Sequence, residues 1–518
     1  MLLIPSFAYT HFYLSSPKLA LFSRVRNHCL PESVFLKKRT ATHCASKKQG
    51  ILPPARSIHN PMATQVQSLP EKKLTANLYR DFVNPQWVAL LDLLDMNVPY
   101  RTCSGAELFT KDGRRILDFL SGYCVHNTGH NHPFIVAALK DELDKCGPAM
   151  LQSHVPEIAG ELAERLCHLA GGGLNKVYFG SSGSEGVEAA IKFARATTGR
   201  HGIVYAKSSF HGLTAGALSL MNDAFWREGF GPLLQDTVGV EYGDLNGLEK
   251  TLATGHNAAL LIEPLQAEAG IRVPSKSYLQ SAEKLCRKHG ALFVLDEVQT
   301  GMFRTGTFLA SHQFGLQPDM VILAKALSGG LIPVSAVLMT DRVYCGVYSS
   351  LRRAIVHTST FSENSLSMRA GLATLEVLQK ENLGLRALEL GEKFRAQLQQ
   401  ALAPFEMVKE VRGMGLLSGI EFGAPKKLSL RVPYEAFLRI HPAMFGQIIV
   451  MRMFREKNIL TQICGNNFMV LKAAPPLMIE QSHLDEFVAA LTSVVELAHT
   501  STAFWSEALG LARRAVYI

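Results

Sequence analysis

No apolar run in this chain approaches the roughly 18 residues that a membrane-spanning helix needs. Charged residues are few, at 19%, while 47% of positions are apolar, which excludes an intrinsically disordered chain. Glycine and proline, 41 and 23 residues, are ordinary in number for 518 positions and exclude collagen-like or low-complexity arrays. Internal repeats are absent. None of the nine cysteines forms C-x-x-C, and their spacing is irregular, so a disulfide framework or a structural zinc site is not expected. What is left is a long globular chain with a large core, enough for two to four domains.

The net charge of +9 is unevenly placed. Residues 1–61 hold nine Lys/Arg and a single acid, Glu32, for a local charge of +8, which leaves +1 for the other residues. A nearly neutral body offers no electrostatic reason to expect nucleic acid or anionic lipid. The basic segment, acid-poor and Ser-bearing, has the character of an organelle transit peptide; alternatively it is an upstream extension and Met62 is the start. The first reading implies a mitochondrial or plastid location, the second a cytoplasmic one.

Beyond about residue 115, short apolar runs alternate with helical periodicity. Val177–Phe179, Ile203–Ala206, Ala259–Ile262, Ala291–Leu295 and Met320–Leu323 are strand candidates. The last two are apolar at every position, as strands buried on both faces are, so a mainly parallel sheet between helices is expected. Val187, Ala190, Ile191 and Ala194 mark one helix face, and Ser277–His289 forms another helix that stops at Gly290. From about 375 longer helical patterns with isolated strands suggest a smaller α+β domain. The expected division is a leader (1–61), an N-terminal part of the small domain (62–115), a large domain (116–374) and the rest of the small domain (375–518).

In such sheets ligands sit at the carboxyl ends of the strands. Three groups stand there. The Gly180-Ser181-Ser182-Gly183-Ser184-Glu185 loop opens a helix whose N–H groups suit a phosphate, though a plain turn reads the same way. Asp296 ends a buried strand, where a carboxylate needs a cation or donors unless it caps the next segment. Lys325 ends Met320–Ala324, and lysine is rarely buried without pairing or function; an outward lysine at a strand end is the plainer reading. Together the three describe what pyridoxal phosphate requires: a phosphate cradle, a lysine for a Schiff base, and an acid facing the ring nitrogen.

Leu295-Asp296-Glu297-Val298-Gln299-Thr300-Gly301 with Arg304-Thr305-Gly306, followed by Pro318-Asp319 and Ala324-Lys325-Ala326-Leu327-Ser328-Gly329-Gly330, resembles the class III (fold type I) aminotransferases. The likeness runs from about 80 to 495 and is nearest the ornithine and acetylornithine subgroup. It implies the α/β fold type I architecture, a homodimer and pyridoxal 5′-phosphate as cofactor. It further implies that Lys325 carries the cofactor and shuttles the proton, that Asp296 pairs with the ring nitrogen, and that Val298 and Phe210 cover the ring faces. Gln299 would bond the phenolic oxygen, Gly183 and Ser184 the phosphate, and Thr360 the phosphate of the neighbouring subunit, with His211 also in the cofactor set. Arg412 would bind the carboxylate of glutamate or 2-oxoglutarate, Glu268 would pair with Arg412 when that carboxylate is absent, and Tyr123 and position 213 would line the substrate pocket.

The sequence departs from the subgroup twice. Leu213 stands where an Arg grips the substrate's α-carboxylate, and Lys472 replaces the Arg before Pro475-Pro476-Leu477. The implied activity is transfer of an amino group from an amine, diamine or ω-amino acid (ornithine, acetylornithine or putrescine-like) to a 2-oxo acid, by a ping-pong mechanism. A racemase or epimerase using the same residues is the alternative. His126, His130 and His132 invite a metal reading, but no acid or Cys completes the set and Asn, Gly and Pro interleave as in a turn, so no metal is expected.

Overall fold

The computed structural model describes residues 77–151, 153–440 and 445–515; the basic leader and the readings placed on it lie outside them. A seven-stranded sheet forms the centre. Its strands are β1 (Leu174–Gly180), β2 (Gly202–Ala206), β3 (Thr237–Val240), β4 (Asn257–Ile262), β5 (Leu292–Asp296), β6 (Met320–Leu323) and β7 (Ser335–Thr340). Their order across the sheet is β1-β7-β6-β5-β4-β2-β3. The run from β6 to β3 is parallel throughout, while β7 is antiparallel to both neighbours.

Alternation along the strands explains the layering. Leu260, Ile262, Phe293, Leu295, Val321 and Leu323 enter one core, and their neighbours Ala259, Leu261, Leu292, Val294, Met320 and Ile322 enter another. Side chains at period two must leave on opposite faces, so a strand apolar at every position needs cover on both. Helix α1 (Gly183–Thr198) covers the second face with Val187, Ala190, Ile191 and Ala194. Helix α2 (Lys276–His289) covers the first with Leu279, Ala282 and Cys286, and ends where Gly290 adopts φ 67°. Helix α3 (Ser365–Lys380) packs on that same side.

Two smaller sheets lie outside this layer. The strands Tyr100–Ser104, Glu107–Thr110 and Arg115–Asp118 form a meander closed by Ile459–Leu460, parallel to Arg115–Asp118. Val408–Met414, Leu417–Phe422, Asn467–Ala473 and Gln462–Cys464 form the other, in that order. Two expected boundaries fall inside elements: 115 lies in the strand Arg115–Asp118, and 375 lies inside α3. The long helical pattern begins at Ser365 because α3, although long, still covers the large sheet.

Candidate active site

At the carboxyl end of β1 the chain turns at Ser181-Ser182 into α1. Ser182 caps that helix, its Oγ accepting from Glu185 N at 3.2 Å. A Cβ at Gly183 would lie 3.0 Å from Val298 Cγ1, so glycine is what lets the helix start against the loop after β5. The first-turn N–H groups and the positive end of the helix dipole therefore meet the same space as Val298.

The strand β5 delivers Asp296, 5% exposed. Its Oδ2 lies 2.8 Å from His211 Nδ1, and its Oδ1 accepts from Val298 N at 3.1 Å. The strand β6 delivers Lys325 at φ 38°, a left-handed conformation that costs a side-chain-bearing residue about 1–3 kcal/mol. Lys325 Nζ donates to Gln299 Oε1 at 3.1 Å. Gln299 Nε2 and His211 Nε2 are buried without a protein partner. These groups line one cavity of about 450 Å³ together with Gly183, Ser184 and Phe210. Of the residues assigned to the cofactor, Thr360 alone lies off it, exposed on the segment beyond His357.

Glu263 also lines this cavity and was not anticipated. The signal was present: it follows β4 as Asp296 ends β5, an acid after a run of apolar residues. Its carboxylate accepts from Phe210 N and Ala267 N, both at 3.1 Å, and so fixes the Phe210 backbone. Burial, reinforced by the Asp296 charge, pushes Glu263 up to about 7. An acid raised from 4.5 holds its proton more firmly folded than unfolded. Its contribution to stability is therefore greatest below about pH 4.5 and declines as pH rises towards 7. Glu263→Gln should remove that slope from urea midpoints measured across this window; an unchanged slope would assign it to another group.

The substrate-side residues do not gather as expected. Arg412 takes partners other than Glu268. It bonds Glu410 at 2.6 Å, Glu421, and the carbonyl oxygens of Gly270 (2.6 Å from Nη2) and Ile271 (3.2 Å). The expected Glu268–Arg412 pair is thus corrected: Glu268 pairs with Lys472, which is fully buried, and accepts from Gly465 N at 2.8 Å. Strand register gives the reason. Gly419 lies opposite Arg412 on one side and opposite Lys472 on the other, so both cations occupy one row with no side chain between them. Glu410 and Glu421 flank the Arg412 end of the row at period two, and Glu268 takes the Lys472 end. Burial alone would raise Glu268, but the Lys472 charge and hydrogen bond outweigh it and hold the acid down to about 2. Tyr123 lies over the Lys472 ammonium, 5.4 Å from its ring centroid. Leu213 is 52% exposed and borders a separate cavity.

The three histidines go to different partners. His130 Nε2 is 2.7 Å from Asp118, His132 Nε2 is 3.0 Å from Glu381, and His126 stacks on His130 at 4.0 Å. Burial and the neighbouring His130 lower His126 to about 4.

The sequence and the fold have counterparts among known proteins. The family model described as Aminotransferase class-III matches residues 93–495. The aminotransferase PigE of a Serratia species is 36% identical over 458 residues, 82% of this chain, although the chain spans only 54% of PigE's length. Putrescine aminotransferase from Pectobacterium atrosepticum is 35% identical over 415 residues, covering 77% of this chain and 84% of that protein. A solved structure of the Toxoplasma gondii ornithine aminotransferase superposes with a TM-score of 0.70 at 26% identity, covering 83% of this chain and 99% of that one. The chain belongs to the class-III aminotransferases. It is therefore a pyridoxal-phosphate-dependent enzyme of the fold type I architecture. The cavity suits that cofactor: a glycine-started helix for its phosphate, a buried carboxylate for its ring nitrogen, an amine for its aldehyde, and the unpartnered Gln299 Nε2 beside them.

Proposed function

We propose that the enzyme transfers an amino group from an amine, diamine or ω-amino acid to a 2-oxo acid such as 2-oxoglutarate, in two half-reactions that share one site. One observation carries the reading: Lys325 Nζ, the Asp296 carboxylate and the N-terminus of α1 border a single cavity. The cofactor, when bound, supplies the electron sink that lets an amine-bearing carbon release a proton. Lys325 takes that proton and returns it, with Gln299 holding the ammonium in place. Asp296 would keep a proton on the ring nitrogen of the bound cofactor, and His211, 2.8 Å from Asp296 Oδ2, orients that carboxylate. Val298 and Phe210, which line the cavity, would cover the ring faces of the bound cofactor. The similarity to a putrescine aminotransferase supports an amine donor.

The working unit on this reading is a homodimer. Val155, Leu351, Ile355 and Phe361 are between 66% and 97% exposed, and Thr360 lies among them, the pattern of an apolar surface that meets a second copy. The enzyme works in the cytoplasm if translation starts at Met62, and in a mitochondrion or plastid if the basic segment is a transit peptide.

Incubating the cofactor-loaded enzyme with a panel of amines and 2-oxoglutarate, and measuring glutamate, tests the activity. Turnover that needs no oxo acid would instead indicate a racemase or epimerase. Asp296→Asn should retain cofactor absorbance while turnover falls by about two to three orders of magnitude, the usual scale for removing a preorganised charge. Turnover within threefold of wild type would make this acid structural.

A further inference from the structure

Beside the cofactor cavity lies a second one of about 430 Å³. Leu213, Leu218, Phe225, Trp226, Phe230 and Leu233 line it with Ala215, and no polar side chain faces it apart from the Trp226 indole. The two cavities share a wall. Phe210 lines the first and packs edge-on against Trp226 of the second, with centroids 5.3 Å apart at 72°. Leu213 directly follows Gly212, which lines the first. The wall is held from behind: Trp226 Nε1 donates to Asn466 at 2.9 Å, and Asn466 Nδ2 donates to the carbonyl oxygens of Ser208 and Ser209 at 2.9 and 3.0 Å. The indole's only donor is thereby satisfied, which leaves the lining apolar.

We propose that this cavity receives the hydrocarbon chain of the amine donor, so that the preferred donors are primary amines on an extended apolar chain. The proposal rests on the transaminase reading above and narrows its substrate class. Adjacency to the cofactor cavity is what commits the space to the substrate, since Phe210 and the Gly212–Leu213 step form the wall between the two. A carboxylate or second ammonium placed there would lose its water and find no partner. A methylene would lose only unfavourable contact with water.

The test uses the cofactor-loaded enzyme with butylamine, hexylamine and octylamine at fixed 2-oxoglutarate, with putrescine and 1,6-diaminohexane as charged-end controls. kcat/KM should rise about three- to fourfold per methylene until the cavity is full. The diamines should fall below the monoamines of equal length. Ala215→Phe, which fills the cavity from the exposed start of the Ala215–Ser219 helix, should flatten the length dependence. A second readout needs no turnover: 1-hexanol should give a saturable change in tryptophan fluorescence that Trp226→Phe removes and Ala215→Phe weakens. A flat length profile in the wild type overturns the proposal and leaves the transaminase reading standing. If no amine yields glutamate, that reading fails, and the hexanol titration alone decides the cavity: a saturable signal supports an apolar-chain site, a silent one overturns it. A cavity closed by a second copy of the chain would give the silent result.

Discussion

Replacing Lys325 with alanine should cut turnover by about three to four orders of magnitude, the scale of a lost positioned acid–base group, while the fold persists. Among the described residues Lys325 is the one lysine lining the cavity, and its ammonium is held by Gln299 at 3.1 Å in the space that Asp296 and the α1 N-terminus share. Its backbone, at φ 38°, is maintained by the apolar strand before it and the 3₁₀ turn Lys325–Ser328 after it, so the side chain's placement follows from the fold. Lys325→Arg sharpens the test. Arginine keeps the charge but cannot give up its proton, so it can neither attack a carbonyl nor shuttle a proton at neutral pH. It should be as inactive as alanine. Borohydride reduction of the loaded wild type, followed by peptide mapping, should leave a pyridoxyl group on Lys325 and on neither variant. Label on another lysine, or turnover by Lys325→Arg within tenfold of wild type, would end the assignment.

The parts of this site legible in the sequence are those that local pattern controls. Strand β5 up to Leu295 and all of strand β6 are apolar because they are covered on both faces, and those runs lead to Asp296 and Lys325 at the same carboxyl end of the sheet. The helix start at Gly183 is equally local, since a Ser cap and a glycine precede a periodic apolar face. Adjacent residues with the same chemistry already defeat such reading. Glu297, next to Asp296, turns into the core and accepts from Ala310 N and Ser311 N at 2.7 and 2.8 Å, a purely structural task. The partner of Glu268 was not legible at all. It depends on the register of three strands that bring Arg412, Gly419 and Lys472 into one row, and Lys472 is far from the other two in the chain. The resemblance suggested Arg412, whereas the register offers two cations and the flanking acids decide between them. The apolar cavity likewise needs Phe210 and Trp226 to meet across a loop, which no periodicity reports.

The buried Glu268–Lys472 pair makes the second large prediction. Lys472→Met removes one charge from a site where both partners are buried, leaving Glu268 with the Gly465 N–H as donor to its carboxylate. Breaking such a pair costs about 3–5 kcal/mol, because the surviving charge has lost water and gained nothing. The pH dependence should change sense as well. In the wild type Glu268 is held down to about 2 from 4.5, so the pair's stabilisation is complete above about pH 4.5 and is lost as pH falls towards 2. Without Lys472 the desolvated acid is raised instead, and the variant should lose stability as pH rises from 4.5 towards neutrality. Replacing both residues, Glu268→Leu with Lys472→Met, should recover most of the loss, since an apolar pair of similar volume is often no worse than a buried ion pair. Arg412→Ala provides the contrast. Its partners Glu410 and Glu421 are 57% and 34% exposed and regain water when the guanidinium is removed, so the cost there should be clearly smaller. Urea denaturation of the wild type and these three variants at pH 4.5 and pH 7 measures all of this. A Lys472→Met loss within about 1 kcal/mol of wild type, or a double variant no better than the single, would show that the pair does not carry the stability of this strand row.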